Sequence, residues 1–145
     1  MRAILQRVLD ASVVIDGQRV ASIGHGLLIF VAIKKGDTIE NGKRLINKVV
    51  NLRVFSNEDG LFDLSAAELK VSLMVVSQFT LYADTSRGRR PSFVEAEEPD
   101  KARIIFSKLI DAFIATGLNV RSGRFQETME VNSTNDGPVT IMIDS

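Results

Sequence analysis

The sequence predicts an α+β fold: a compact, mixed or antiparallel, barrel-like β-sheet with two amphipathic helices packed outside it, in a single domain over residues 1–145. Three observations predict it. Apolar β-runs recur from one end of the chain to the other. Asp16-Gly17 and Asn135-Asp136-Gly137 supply hairpin chemistry near both ends. Only two stretches switch to the helical period.

The elements follow in order. Arg2 to Val8 alternates imperfectly, and Ser12-Val13-Val14-Ile15 leads into Asp16-Gly17, so two strand segments precede a hairpin that returns along Arg19–Ile23. Gly26 launches Leu27–Ile33, an unbroken apolar run suited to a strand buried on both faces, which Lys34-Lys35-Gly36-Asp37 ends. Ile39, Leu45, Ile46, Val49 and Val50 then recur at helical spacing. They predict a helix over about 39–52 with Asp37 or Thr38 as its N-cap.

Asn57-Glu58-Asp59-Gly60 is a turn, and the region from there to Lys70 is weakly patterned. Val71–Val76 is a second buried strand, delivering Ser77-Gln78-Phe79-Thr80 at its end, and Ala83–Arg90 is a polar loop. Pro99-Asp100-Lys101 opens the second helix, with Ile104, Ile105, Leu109, Ile110 and Phe113 on its apolar face and Gly117 as the residue just past its end. Val120, a turn at Gly123, and strands at Thr128–Asn132 and Val139–Ile143 complete the chain.

The chemical inventory excludes several function classes. Eighteen basic and eighteen acidic residues cancel, so any nucleic-acid partner must be held by a local patch rather than by the field of the whole molecule. With no cysteine there is no disulfide, thiol nucleophile or cysteine-ligated metal. His25 is the only histidine and sits in the turn Ile23-Gly24-His25-Gly26-Leu27, where a solvent-facing role is the plain reading. Triad and metallohydrolase chemistry both need a histidine in the site, so neither is expected, nor is any metal or cofactor. Gly24-His25-Gly26 precedes a strand, not a helix, which removes a dinucleotide reading. The N-terminus lacks an apolar signal core, and no run reaches the ~20 apolar residues of a membrane span, so the expectation is a cytoplasmic protein without a membrane partner.

Four segments remain that carry chemistry. Ser77-Gln78-Phe79-Thr80 ends an apolar run in polar residues, where unpaired amides can receive a developing oxyanion; routine capping of a strand end is the alternative. Gly137-Pro138 joins a residue open to unusual dihedrals to one with fixed φ and no donor, which fits either a tight hairpin or a tip protruding into a neighbour's cleft. Arg87, Arg89 and Arg90 form the densest positive spot, suited to phosphate contacts, although loop charge is usually just solvated and Glu95, Glu97 and Glu98 follow closely enough to neutralise it. Phe125 and Met129, near the last hairpin, fit the core or a pocket lining.

Taken together, Ser77-Gln78-Phe79-Thr80-Leu81-Tyr82, Gly88-Arg89-Arg90-Pro91-Ser92-Phe93, Gly123-Arg124-Phe125 and Asn135-Asp136-Gly137-Pro138-Val139-Thr140, with the opening Arg2-Ala3, Gln6-Arg7-Val8 and Ala11-Ser12-Val13, resemble the D-aminoacyl-tRNA deacylase (D-tyrosyl-tRNA deacylase) family over the whole chain. The resemblance implies a homodimer that hydrolyses the ester joining a D-amino acid to the 3′-terminal adenosine of tRNA, a chiral proofreading step in translation. It implies that Ser77–Thr80 line the aminoacyl pocket, with main-chain groups of Phe79 and Thr80 meeting the ester and the Thr80 hydroxyl secondary. It further implies that Gly137-Pro138 is a cis peptide entering the partner subunit's site, contacting the α-amino group and excluding an L side chain. Phe125 and Met129 then lie around the pocket, and glycyl-tRNA is also accepted.

The chain departs from the family at Phe62-Asp63, at Leu69-Lys70-Val71-Ser72 and at Ala32, so no role is transferred to Asp63. Two other classes stand beside this reading. One is a non-catalytic dimeric binding protein for a small ligand or an RNA 3′ end. The other, weaker for want of acid–base groups, is a thioesterase or amidohydrolase.

Overall fold

The computed structural model describes residues 1–145. Strands β1 (Arg2–Ile15), β2 (Gln18–Ile23) and β3 (Gly26–Ala32) lead into helix α1 (Ile39–Asn51). A hairpin of β4 (Arg53–Ser56) and β5 (Phe62–Ser65) and a short helix α2 (Ala66–Leu69) follow. β6 (Ser72–Ser77) runs into a 3-10 turn at Phe79–Tyr82, and α3 (Pro99–Ile114), β7 (Val120–Ser122) and β8 (Glu130–Asp144) complete the chain.

The main sheet has the order β2-β1-β3-β6-β7, with β8 on the other edge of β1. Pairs β3/β6 and β6/β7 are parallel and the others antiparallel. β2 packs back toward β6 and β7, which makes the mixed sheet a nearly closed barrel. Strand alternation divides the core between its two faces. Leu5, Leu27, Ile29 and Val31 meet Leu45 and Val49 of α1 and Phe106, Leu109 and Phe113 of α3. Val8, Val13, Leu28, Met74 and Val76 meet Ala21 and Ile23 inside the barrel. β3 therefore feeds both layers, as its unbroken apolar run requires. Phe113 is 0 % exposed in the helix layer. Phe113→Ala is expected to cost about 3–5 kcal/mol and lower the melting temperature by on the order of 10 °C in a circular-dichroism melt.

Thr38 is the N-cap of α1, its N–H donating to Asn41 Oδ1 at 3.0 Å. Other elements differ from the sequence reading. The two opening strand segments are one strand of 14 residues, β1. The terminal hairpin does not exist: β8 runs 15 residues through Asn135-Asp136-Gly137-Pro138. Its pairing with β1 jumps from Gln6↔Thr140 to Val8↔Asn135, so Arg7 alone faces Asp136 to Val139, a wide bulge rather than a turn. Turn chemistry is absorbed here because β1 resumes the ladder on both sides.

A third helix, α2, lies in the weakly patterned region. Its sign in the sequence is Ser65-x-x-Glu68, which forms a capping box: Ser65 N–H donates to Glu68 Oε2 at 2.8 Å and Glu68 N–H to Ser65 Oγ at 3.3 Å. The buried face of α3 is Ala102, Phe106, Leu109 and Phe113, whereas Ile104 is 57 % exposed. Ile104 stands two positions, about 200° around the helix, from both Ala102 and Phe106, so the docking of those two residues turns it to solvent. No helix is long and apolar enough to cross a membrane.

Candidate active site

A cavity of about 620 Å³ opens at the carboxyl ends of the parallel strands β3 and β6. This is where ligands sit in many parallel sheets, because the chain leaves the ladder there with amides unused. Val31–Ile33 and Val76–Ser77 form its floor, Gln78 and Phe79 one rim, Ala102 and Phe106 of α3 a second wall, and Phe125–Met129 a third. Apolar side chains make most of the lining. Glu97, Glu98 and Glu127 are its only charged groups, and no cation, histidine or aspartate is among them.

The 3-10 turn is anchored from two directions. Gln78 N–H donates to Val31 O at 2.8 Å, continuing the β3/β6 ladder by one bond. Arg2 donates through Nη1 to Leu81 O at 3.3 Å and lies 5.1 Å from the centre of the buried Tyr82 ring. Burial pushes the Tyr82 hydroxyl up to about 12, so it anchors as a neutral phenol. Phe79 is 56 % exposed, edge-on to Phe93 at 5.0 Å. The first N–H groups of a 3-10 turn have no partner within it, and no loop or side-chain acceptor takes those of Phe79 and Thr80. Two adjacent free donors therefore follow one another here, the first on Phe79 of the rim and the second on Thr80, just beyond the lining. The Thr80 hydroxyl is itself engaged, accepting from Gln78 Nε2. At the opposite rim, Glu97 accepts from the N–H of Glu98 at 3.0 Å and of Gly36 at 3.3 Å. The Glu98 amide is the main reason its carboxyl lies below the usual range and stays ionised, against a smaller opposing effect of burial.

Ser77, Gln78, Phe79, Phe125 and Met129 thus meet around one cavity, with Thr80 just outside its lining. Gly137 and Pro138 do not join them. They occupy the β8 bulge, where the Gly137-Pro138 peptide is cis. The bulge is held by Arg7, which is 8 % exposed: Nε donates to Asp136 O at 3.2 Å and pairs with Asp136 Oδ2 at 3.0 Å, while Nη1 donates to Val54 O at 2.7 Å. The Phe62 ring centre lies 5.4 Å from the same guanidinium, and Asn135 Oδ1 accepts from Val139 N–H at 2.8 Å. Asp63 makes an exposed ion pair with Arg53 across the β4/β5 hairpin, and neither lines the cavity.

Arg87, Arg89 and Arg90 are exposed in the loop after the 3-10 turn. The following glutamates do not neutralise them, because Glu95 pairs with Lys34, Glu98 with Lys35, and Glu97 with backbone amides. Sequence reasoning missed Arg7, Ala102 and Phe106. An arginine between Gln6 and Val8 was a visible oddity in an apolar strand, but its partners lie 47 and 129 residues away.

A family model described as D-Tyr-tRNA(Tyr) deacylase matches residues 4–144. A curated relative from Aquifex aeolicus, named D-aminoacyl-tRNA deacylase, is 49 % identical over 145 residues, covering 100 % of this chain and 98 % of its own. A solved structure titled c-Myc DNA Unwinding Element Binding Protein superposes with a TM-score of 0.94 at 33 % identity, covering 100 % of this chain and 99 % of that one. A second, titled as a probable eukaryotic D-amino acid tRNA deacylase, superposes with a TM-score of 0.85 at 17 % identity over 99 % and 98 % of the two chains, a likeness of fold alone.

Proposed function

The chain belongs to the D-Tyr-tRNA(Tyr) deacylase family and is an ester hydrolase acting on D-aminoacyl-tRNA, and we propose that it does so with main-chain donors, a dimeric site and steric rejection of L substrates. The observation that carries the mechanism is the pair of adjacent free amides of Phe79, at the cavity rim, and Thr80, next to it. As water attacks the ester carbonyl, the oxygen gains negative charge and is received by these two N–H groups. One such donor is worth roughly 2.7–4 kcal/mol in a preorganised site. The leaving group is the 3′ oxygen of the terminal ribose. As its bond to the carbonyl carbon breaks it takes a proton from the vicinal 2′ hydroxyl, which takes one in turn from the attacking water. The tRNA thus leaves with a free 3′ hydroxyl and the D-amino acid as its carboxylate. An ester needs no activated side-chain nucleophile under these conditions, which fits a cavity lined by no histidine and no cationic side chain.

Ser77, Gln78, Phe125 and Met129 hold the aminoacyl end in this scheme. Selection falls to Gly137-Pro138, whose carbonyls meet the α-amino group and leave no room for an L side chain. Rejection of a side chain leaves glycyl-tRNA acceptable, so glycyl-tRNA is proposed as a second substrate. Because Gly137 and Pro138 lie outside the cavity of their own subunit, a second copy must bring them to it. β8 suits that role, since its 15 residues pair only with β1 and its outer edge is free. Arg87, Arg89 and Arg90, free of ion pairs in an exposed loop, are proposed to meet phosphates near the tRNA 3′ end. A role in translation quality control, in the cytoplasm, is part of this proposal.

The test is a timed assay with D-tyrosyl-tRNA, L-tyrosyl-tRNA and glycyl-tRNA. Turnover of the D and glycyl substrates with the L substrate intact is expected, whereas binding without turnover returns the protein to the class of binding modules. Thr80→Val is expected to retain activity within about tenfold, since the amide remains and only a hydroxyl occupied by Gln78 is lost. Abolished hydrolysis with intact binding would replace the scheme with a threonine nucleophile.

A further inference from the structure

The geometry points to Arg103 of α3 as a positioning residue that sets the third wall of the cavity without lining it. The Phe125 ring meets two side chains one helical turn apart on α3: the Phe106 ring at 5.7 Å between centroids and the Arg103 guanidinium at 5.2 Å from its centre. Arg103 Nη2 also donates to Gln126 Oε1 at 2.5 Å. Gln126 has φ of +67°, a left-handed conformation uncommon for a residue with a Cβ. Its own amide chain is otherwise thinly tied, the nearest backbone bond being Glu127 N–H to Arg124 O at 3.4 Å. One guanidinium therefore fixes both the face of Phe125 and the backbone turn at Gln126, and both residues line the cavity while Arg103 does not.

This inference rests on the hydrolase reading for its kinetic half only. The proposed chemistry is at Phe79 and Thr80, on another wall, so loosening Phe125 and Gln126 weakens substrate binding without altering the reacting groups. Arg103→Met keeps the aliphatic stem and removes the charge and the fork of donors. It is expected to raise KM for D-tyrosyl-tRNA about three- to tenfold with kcat within about twofold, and Arg103→Lys, which keeps a cation over the ring, is expected to recover part of it. Arg103→Met and Phe125→Ala should be non-additive in KM, because the first acts through the second.

Amide hydrogen exchange at Glu127, the one amide of residues 124–129 with a backbone partner, supplies a readout independent of turnover: Arg103→Met should accelerate it there and leave the core strands unchanged. Unaltered exchange overturns the positioning role whatever the kinetics, and accelerated exchange with unaltered KM overturns its bearing on the reaction. Arg103 is exposed, so a direct phosphate contact is the competing cause of a KM effect. It predicts a shallower salt dependence of KM and no effect on 3′-D-tyrosyl-adenosine, either of which also overturns the proposal. If the unmodified protein fails to hydrolyse D-tyrosyl-tRNA, the functional reading falls while the exchange experiment still decides the role of Arg103.

Discussion

Gly137→Ala is expected to lower kcat/KM for D-tyrosyl-tRNA by at least about tenfold and to narrow the preference for D over L by a similar factor. The backbone at Gly137 has φ of +129°, a region that side chains rarely enter. A Cβ there would stand 2.8 Å from Val139 Cγ2, 3.1 Å from Arg7 Nη2 and 3.2 Å from Val139 N. The valine methyl can rotate away, but the main-chain nitrogen cannot, and Arg7 is fixed by Asp136 and Val54. The bulge must therefore move, at a cost of about 1–3 kcal/mol in stability, and it carries its carbonyls with it. Displacing a selecting group by 1 Å is worth about a hundredfold where position determines rate, so tenfold is a modest expectation. The check is steady-state hydrolysis of both stereoisomers. An unchanged ratio of D to L would remove Gly137 from selection.

The same variant tests the proposal that the site is shared between two subunits. Co-expressed with a variant whose cavity is filled, such as Ser77→Phe, it should form mixed dimers in which one site has an intact cavity and an intact bulge. Random pairing makes half the dimers mixed with one good site in two, so about a quarter of the wild-type activity returns from two nearly inactive parents. No recovery is expected if the cavity and the bulge act within one chain.

Gly26→Ala is expected to abolish folding. Gly26 pairs with Ser72 at the start of the parallel β3/β6 ladder, and a Cβ would lie 2.0 Å from Ser72 O and 2.9 Å from Ser72 C. Both are main chain and neither can rotate away, so the two central strands must separate. A loss above about 4–5 kcal/mol consumes much of the 5–15 kcal/mol typical of a whole domain. β6 also delivers Ser77 and the 3-10 turn, so any folded remnant should have lost the cavity rim. Gly24→Ala, two residues earlier, meets nothing within 4 Å and serves as the neutral control. Comparable melting curves for the two variants would contradict this reading of the ladder.

The two glycines show how differently sequence discloses position. Gly137 was singled out by its neighbour Pro138 and by turn chemistry, yet both pointed to a hairpin. Gly26 looked like the mere opening of an apolar run. What separates a hairpin from a bulge is whether a partner strand continues past the irregularity, and that partner, β1, lies some 130 residues upstream of the bulge. The cavity was legible in part for the same reason. Ser77–Phe79 are marked by the abrupt end of an apolar run, and Phe125 with Met129 by clustered apolar residues near a strand. Ala102 and Phe106 are ordinary core residues of α3 until its phase is known, and a misassigned face hid them.

From the sequence alone came whatever depends on near neighbours or on inventory: β3 buried on two sides, a cap at Asp37 or Thr38, of which the structure uses Thr38, Pro99 as a helix start, and a chemistry restricted by no cysteine and a single histidine. Those features follow from dihedral preference, hydrogen-bond reach over three or four residues, and the functional groups present. Only the tertiary structure decided that Arg7 seats the Gly137-Pro138 bulge, that α3 presents Phe106 rather than Ile104, and that the cavity and the bulge of one chain lie apart. Each of these turns on which strand or helix face a residue meets across the fold. Long-range register and packing settle that, and no local pattern encodes it.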